Sequence, residues 1–396
     1  MERPSIEVAD VIRQALPSFL ARKHPWFTWL HLKVIRAILR CRTMVLGAHE
    51  DACTQCGHRA ISYNSCRNRH CPRCQTQARD RWIAARTREL LPVQYSHVVF
   101  TLHRAIVPLA LQNKEAVYDL LLRASAETLL EVAKDPQHLG AEIGFFSILH
   151  TWNQQLQLHP HVHCVIPAGG LSAAHDRWVS AQPKFFLPVG VLGKVFRGKF
   201  VEGLRRLYAQ NRLVLEGRLA PLRHAKTFSE LLRTVHGTRW VVYAKPPFGG
   251  AGHVVQYLGR YTHRVAISNH RLVSLGENGV TFRWRDSGHG NKQRLMTVSA
   301  EEFLRRFLLH VLPPGFVRIR HFGLFAHRNR RELLPLCLRL LAAVPTHSQA
   351  AGPSAPAAAS TPLWTYPKCG GPMAVIERFT AAQVQLRAPP GRVGHL

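Results

Sequence analysis

The sequence predicts an α+β protein in which a helical, cysteine-rich module precedes a sheet-containing domain, and three observations carry that expectation. From Tyr95 onward, short runs rich in aromatic and β-branched residues alternate with segments of helical period. Two of those runs, 143–152 and 159–171, are separated only by the short stretch NQQLQL, a spacing suited to antiparallel neighbours. Five of the nine cysteines crowd between Cys53 and Cys74, which in a reducing compartment points to metal ligation rather than to disulfides.

The composition narrows the class. A chain of 396 residues can bury a sizeable core in two or three domains. Lys and Arg number 53 against 23 Asp and Glu, so the formal net charge is +30, and an excess that large favours a polyanionic partner. With 46% hydrophobic residues, 8 Trp and 18 Phe, the chain is not a disordered basic tail. No apolar stretch reaches the ~18 residues of a membrane span, and the start MERPSIEV lacks the apolar centre of a signal peptide. The expectation is a soluble, intracellular protein that binds nucleic acid without a membrane.

The elements follow in order. Residues 1–45 read as helical, with Phe27, Leu30, Val34, Ile38 and Cys41 forming one stripe. After the cysteine segment, QARDRWIAARTREL is an arginine-rich helix ending at Pro92. Strands are expected at 95–102, 143–152, 159–171 and 239–246, with helices at 109–132 and through KVFRGKFVEGLRRLYAQ. GGAGHVVQYLGRYTH opens with glycines and continues as a helix, and AISNHRLVSL, the turn at 277–279 and VTFRWR form a hairpin. A helix at 300–312 stops at Pro313-Pro314, and the Ala/Pro/Ser-rich stretch from about 343 to 362 reads as a linker. The expected domains are 1–92, 93–275 and a basic hairpin-and-helix region at 276–340, followed by a linker and tail at 341–396.

Three motifs carry chemistry. Cys53-x2-Cys56 and Cys71-x2-Cys74, separated by 14 residues, supply four thiolates that suit one tetrahedral zinc ion. Cys41, His49, Cys66 and His70 are left over for a possible second site, and Arg67, Arg69 and Arg73 stand among the ligands where phosphates could dock. His159, His161 and His163 fall at spacing two, so a strand puts them on one face, and His161-Val162-His163 can hold a divalent cation. Tyr257 and Tyr261 lie four apart and share a helix face, with Arg260, His263 and Arg264 beside them to hold phosphate.

The segments YNSCRNRHCPRCQ (63–75), HPHVHCVIPAGGL (159–171), YLGRYTHRVAISNHRL (257–272) and LPPGFVRIRHFGL (312–324) together resemble the IS91-type rolling-circle transposases, two-tyrosine members of the HUH endonuclease superfamily. The resemblance covers about residues 20–340. It implies an antiparallel HUH sheet with helices packed on one side, and a zinc-binding N-terminal domain. It also implies Mg²⁺ or Mn²⁺ at His161 and His163, with a third ligand from elsewhere, for which Gln154 is the first candidate and His159 the second. Tyr261 or Tyr257 would attack a single-stranded DNA end of the element, giving a 5′-phosphotyrosine link, and the other tyrosine would serve a second cleavage. A bacterial cytoplasmic, nucleoid-associated location goes with that role.

Two positions depart from the family pattern. A C-terminal knuckle common in the family here reads YPKCGGPM, with Tyr366 in the place of its first cysteine, so Cys369 alone is not expected to hold zinc and Tyr366 is not a third nucleophile. The first strand ends in FTLHR, and His103 there reads as a surface residue. The segment 316–331 interleaves Arg318, Arg320, Arg328, Arg330 and Arg331 with Phe316, Phe322 and Phe325, a composition suited to single-stranded DNA. The competing readings are a replication initiator or relaxase of the same superfamily, and a non-catalytic zinc-dependent nucleic-acid-binding protein.

Overall fold

A computed structural model describes residues 4–22, 24–182, 186–248, 259, 266–343 and 365–387. Along the chain these form α1 (Val8–Ala21), α2 (Trp29–Arg40), β1 (Ala48–Cys53), β2 (Arg59–Tyr63), α3 (Gln75–Thr87), β3 (Tyr95–Thr101), α4 (Val107–Gln112) and α5 (Lys114–Lys134). The middle of the chain adds β4 (Gly144–Trp152), β5 (Leu158–Pro167), β6 (Gly169–Leu171), β7 (Trp178–Ser180), α6 (Val189–Ala209), α7 (Ala225–Gly237) and β8 (Val242–Phe248). The remainder comprises β9 (Leu272–Gly276), β10 (Gly279–Asp286), β11 (Lys292–Val298), α8 (Ala300–Leu309), β12 (Ile319–Gly323), α9 (His327–Ala342), β13 (Met373–Phe379) and α10 (Ala381–Arg387).

The aromatic and β-branched runs build one antiparallel sheet in the order β12-β4-β5-β3-β8. Strand alternation sends Val98, Phe100, Phe145, Leu149, Val162, Cys164 and Ile166 to one face, where α4, α5, α6 and α7 cover them in the largest core. Phe196 and Phe200 of α6 pack edge-on against Phe100 and Trp240 there. On the opposite face Trp82 of α3 closes over Tyr95, Phe146, Ile148 and Val165. The expected α+β architecture, an antiparallel sheet carrying helices on one side behind a cysteine-rich module, is the one observed.

The N-terminal region read as helical holds two helices, α1 ending at Ala21 and α2 starting at Trp29, and it buries against a distant part of the chain. Val8, Ile12, Phe19, Val34, Ile35 and Ile38 pack with Phe282 of β10 and with Phe303, Leu304, Phe307 and Leu308 of α8. Asn269 Oδ1 accepts the Val8 N–H at 3.2 Å, taking one of the donors that a helix start leaves unpaired. The hairpin read at 266–285 gains a third strand, β11. Lys114 donates to the carbonyls of Leu309 and Val311 at 2.9 and 2.8 Å, joining α5 to the end of α8. β12 comes from the region expected to stand apart as 276–340, yet it is the edge strand of the main sheet.

Buried imidazoles tie these layers together. His310 accepts from the Thr151 hydroxyl at 3.1 Å and donates Nε2–H to the Leu156 carbonyl at 3.0 Å, while burial holds it down to about 3. His70 accepts the Leu312 N–H at 3.1 Å and is likewise pushed down to about 3 by burial.

Two predictions follow from this packing. Gly323 sits at φ +58°, and a Cβ there would run into the Ile143 carbonyl. Gly323→Ala should lower stability by about 1–3 kcal/mol, read as a lower urea midpoint. A histidine held neutral binds fewer protons in the fold than in the unfolded chain, so stability falls as pH drops below the unfolded value of about 6.5. The urea-derived stability of His310→Gln should therefore fall less steeply than wild type between pH 6 and 4, by about 1 kcal/mol per pH unit.

Candidate metal centre and nucleic-acid-facing surface

Alternation along β5 places His159, His161 and His163 on the face away from the four helices, as the spacing predicts. The third imidazole that meets His161 and His163 is His150 of β4: the ligand nitrogens of the three lie within 4.8 Å of one another. Unbroken register brings it there, with Phe146↔Val165, Ile148↔His163 and His150↔His161, and a bulge lies just beyond, toward the turn. Trp152 pairs with Leu158, but His150 pairs with His161, so one extra residue lies on β5 between these pairs. The bulge falls at Pro160, which has no N–H for the ladder and instead gives its carbonyl to the Leu102 N–H at 3.0 Å.

Neighbouring groups fix the rings. A carbonyl can only accept, so the 2.6 Å contact from His161 Nδ1 to the His159 oxygen puts the proton on Nδ1 and leaves Nε2 as the basic nitrogen. His97 of β3 stacks on His163 with centroids 5.0 Å apart, and its Nε2 lies 2.8 Å from His163 Nδ1. Coordination by His163 through Nε2 keeps that bond intact, the arrangement by which outer groups orient ligating imidazoles. Burial, first of all, lowers His161 and His97 to about 4 and His163 well below its ordinary value. His161 and His163 are therefore neutral at physiological pH and competent as ligands.

The expected third ligand, Gln154, lies instead in the exposed turn of the β4–β5 hairpin, where its backbone carbonyl accepts from Arg271. His159 is exposed, with its ring centroid 5.2 Å from that of His161. Sequence reasoning missed His150 and His97. Each is a lone histidine inside a buried, apolar strand, and that was the available signal. Tyr257, Tyr261, Arg260, His263 and Arg264 lie outside the described residues. Gly259, which is described, packs its Cα against Ile83 of α3, where a Cβ would clash. The same helix lies over the histidine face through Trp82 and through Arg86, 3.0 Å from His321.

The cysteines divide differently from the expected set of four. Cys71 and Cys74 meet Cys41 and Cys66, while Cys53 and Cys56 meet Cys369 from the far end of the chain. The reason is local: β1 and β2 carry the first knuckle away from the second, and Cys41 follows α2 directly into the second site. Cys66 and Cys74 sulfurs lie 3.7 Å apart, matching the edge of a tetrahedron with Zn–S of ~2.3 Å. Four thiolates and no oxygen donor fit a structural zinc, and the partner sulfurs hold Cys74 well below the usual thiol range. His49 and His70 do not join. His49 bonds Asn64 at 2.9 Å, and His70 bonds Asn68 and Leu312.

Four of the arginines proposed for phosphate are engaged within the protein, while Arg67 is exposed. Arg69 donates to the carbonyls of Pro313 and Phe316, and Arg73 to that of Cys41 while pairing with Glu7. Arg318 is buried and lowered to about 10 by that burial, and Arg320 pairs with Asp119 over the Phe316 ring. Phe316 and Phe325 belong to cores. Because β12 joins the sheet, the interleaved segment is mainly structural, and Arg328 and Arg331 at the start of α9 remain exposed. His103 caps the turn before α4 and contacts Thr238 at 3.1 Å.

Two family models match the chain, one described as "Transposase zinc-binding domain" over residues 11–102 and one as "Putative transposase" over 144–332. The sequence is 51% identical to "Putative transposase y4qJ" of Sinorhizobium fredii across 89% of each chain. It is 27% identical to the "Transposase for insertion sequence element IS801" of Pseudomonas savastanoi pv. phaseolicola, across 90% of this chain and 86% of that one. No solved structure matches. Among the described residues no helix is long and apolar enough to cross a membrane.

The geometry makes a ligand test specific. Manganese(II) affinity, measured by electron paramagnetic resonance, should fall at least about tenfold in His150→Ala and in His161→Ala, and about 10–100-fold in His97→Phe. Gln154→Ala should bind as wild type does. Unchanged binding in His150→Ala together with a loss in Gln154→Ala would return the third position to the turn.

Proposed function

We propose, on the premise that this chain belongs to the IS91 family of transposases, that it nicks and rejoins single-stranded DNA at the ends of an insertion sequence through a tyrosine nucleophile. The observation that carries this reading is the group of three imidazoles, His150, His161 and His163, held on a rigid sheet within 4.8 Å. A divalent cation bound there would draw charge from the scissile phosphate. Among the described residues no carboxylate joins the group, and nitrogen donors favour Mn²⁺ over the oxygen-seeking Mg²⁺.

The chemistry of the chain itself is simple to balance. Tyr261 or Tyr257 adds its phenol oxygen to phosphorus, and the bond from phosphorus to the 3′ oxygen breaks. The phenolic proton is accounted for on the leaving 3′-hydroxyl, and the strand stays attached as a 5′-phosphotyrosine ester. A tyrosine is a weak nucleophile at its ordinary value of about 10, so charge withdrawal at phosphate and orientation must supply the rate. The ester conserves the energy of the broken bond, so a 3′-hydroxyl can attack it and join strands without an external energy source. The second tyrosine allows a second cleavage before the first ester is resolved. Gly259, between the two tyrosines in sequence, rests on Ile83 of α3, the helix over the histidine face, and this supports placing the pair at the imidazoles.

The location that fits is the bacterial cytoplasm, in association with the nucleoid. Arg260, Arg264 and Arg328 are the arginines proposed to hold phosphate, and Arg318 and Arg320 are withdrawn from that role by their burial and pairing.

Incubating the protein with Mn²⁺ and single-stranded oligonucleotides from the element's ends should yield a covalent adduct on a denaturing gel. The Tyr257→Phe/Tyr261→Phe double variant should give none, and His161→Ala should reduce the yield at least about 100-fold. An adduct that persists in the double variant, or its absence with every end sequence, rejects the mechanism and leaves a zinc-dependent DNA binder. Binding to the same oligonucleotides should weaken with salt by about 0.7 log units per tenfold for each phosphate neutralised.

A further inference from the structure

Two turns far apart in sequence have the same backbone. In the first, the Cys53 N–H donates to the His58 carbonyl at 2.8 Å, the Gly57 N–H donates to the Cys53 carbonyl at 3.0 Å, and Gly57 sits at φ +69°. In the second, the Tyr366 N–H donates to the Gly371 carbonyl at 2.8 Å, the Gly370 N–H donates to the Tyr366 carbonyl at 2.8 Å, and Gly370 sits at φ +71°. Position by position, Cys53-Thr54-Gln55-Cys56-Gly57 matches Tyr366-Pro367-Lys368-Cys369-Gly370. The turns face each other. Cys369 Sγ lies 3.4 Å from both Cys53 Sγ and Cys56 Sγ, and the Thr54 N–H donates to the Pro372 carbonyl at 2.9 Å. Leaving the second turn, β13 pairs along β1 from Cys53↔Met373 to Ala48↔Phe379.

We propose that Cys53, Cys56 and Cys369 bind a second zinc ion with an open fourth position, and that this ion clips residues 365–387 to the N-terminal module. Cys369 at 3.4 Å from each partner, with all three sulfurs within 4.8 Å, comes near the edge of a zinc tetrahedron, ~3.8 Å for Zn–S of ~2.3 Å. The backbone supports thiolates as well as spacing. The Gly371 N–H reaches Cys369 Sγ at 3.4 Å, a backbone donor aimed at the sulfur.

The fourth corner belongs by symmetry to position 366. Tyrosine is too long to put its oxygen where a cysteine sulfur would sit. Its ring instead stacks on His58 with centroids 4.2 Å apart, so the fourth ligand is water. Cys56 and Cys369 are exposed, and a three-ligand site open to solvent exchanges its metal more readily than the enclosed four-thiolate site. Two zinc sites of different lability thus hold one module, and the labile one governs whether the C-terminal strand stays on it.

The test uses the full chain with cobalt(II) in place of zinc, because the sulfur-to-cobalt charge-transfer band reports thiolate sites and ignores the histidine site. Cys369→Ser should lose one bound metal per chain and part of that band, while the remainder, from Cys41, Cys66, Cys71 and Cys74, shows that the module is still folded. Limited proteolysis should then cut within 365–387 at least about tenfold faster. Tyr366→Cys should close the site, and its second zinc should survive a chelator that strips wild type. Unchanged metal content and spectrum in Cys369→Ser, or chelator sensitivity in Tyr366→Cys equal to wild type, overturns the proposal. Neither readout depends on DNA cleavage, so the outcome is independent of the proposed nuclease mechanism.

Discussion

The meeting of the imidazoles rests on the unbroken pairing of β4 with β5 from Phe146↔Val165 to His150↔His161. Phe146, Ile148 and His150 alternate onto the face of His161 and His163, while Phe145, Leu149, Val162 and Cys164 take the helix-covered face. The bulge at Pro160 lies beyond this stretch, toward the turn, and leaves the register of the histidines untouched. Strand pairing thereby turns two histidines on one strand into a three-imidazole face. It works because the strands on either side are rigid and buried. The core under the sheet fixes their register, and any slip would exchange apolar and polar faces along the whole strand.

The cationic excess has a second use besides attraction to DNA. Arg69, Arg73, Arg306 and Lys114 all donate to backbone carbonyls at the ends or breaks of elements, where secondary structure leaves acceptors unpaired. Arg318 is buried outright. Net charge is thus a poor map of the DNA surface in this chain, because the arginines nearest the cores are committed to holding them together. The exposed cations distribute the long-range field, and a field needs no particular residue to be effective.

Much of this was legible in the sequence. The strands at 95–101, 144–152 and 158–167 showed through their β-branched and aromatic content, and the spacing of His159, His161 and His163 fixed their common face. Contacts between remote segments were not legible. Period and propensity describe a residue's own element, so they could not show that β12 edges the main sheet or that α1 packs on α8. His150 was hidden for a related reason, since alternation gives its face but not the strand beside it or the register that sets it opposite His161. The cysteine spacing misled because C-x2-C followed by C-x2-C is satisfied equally well by one ion or by two half-sites completed elsewhere. Cys41, Cys66 and Cys369 are the residues that decide between them.

The placement of the late strands also constrains how the molecule assembles. β12 completes the edge of a sheet whose other strands precede it, and β13 does the same for the sheet of β1 and β2. Closing so long a loop is slow, because its entropy must be met before the strand contacts reward it, but in equilibrium terms a doubling of loop length adds only about 0.6 kcal/mol. The main sheet offers β12 a wide apolar bed, on which its Phe322 stacks against Phe145 above the core. The small sheet offers β13 little, since Val375 and Ile376 remain exposed and only Phe379 and Val384 bury with Ala48. Burial at ~25 cal/mol per Å² can hold the first edge unaided, whereas the second has too few apolar contacts to be secure alone. A strand with so little core depends on its polar and thiolate neighbours, and the cysteine turn that leads into β13 stands where such a fastening is needed.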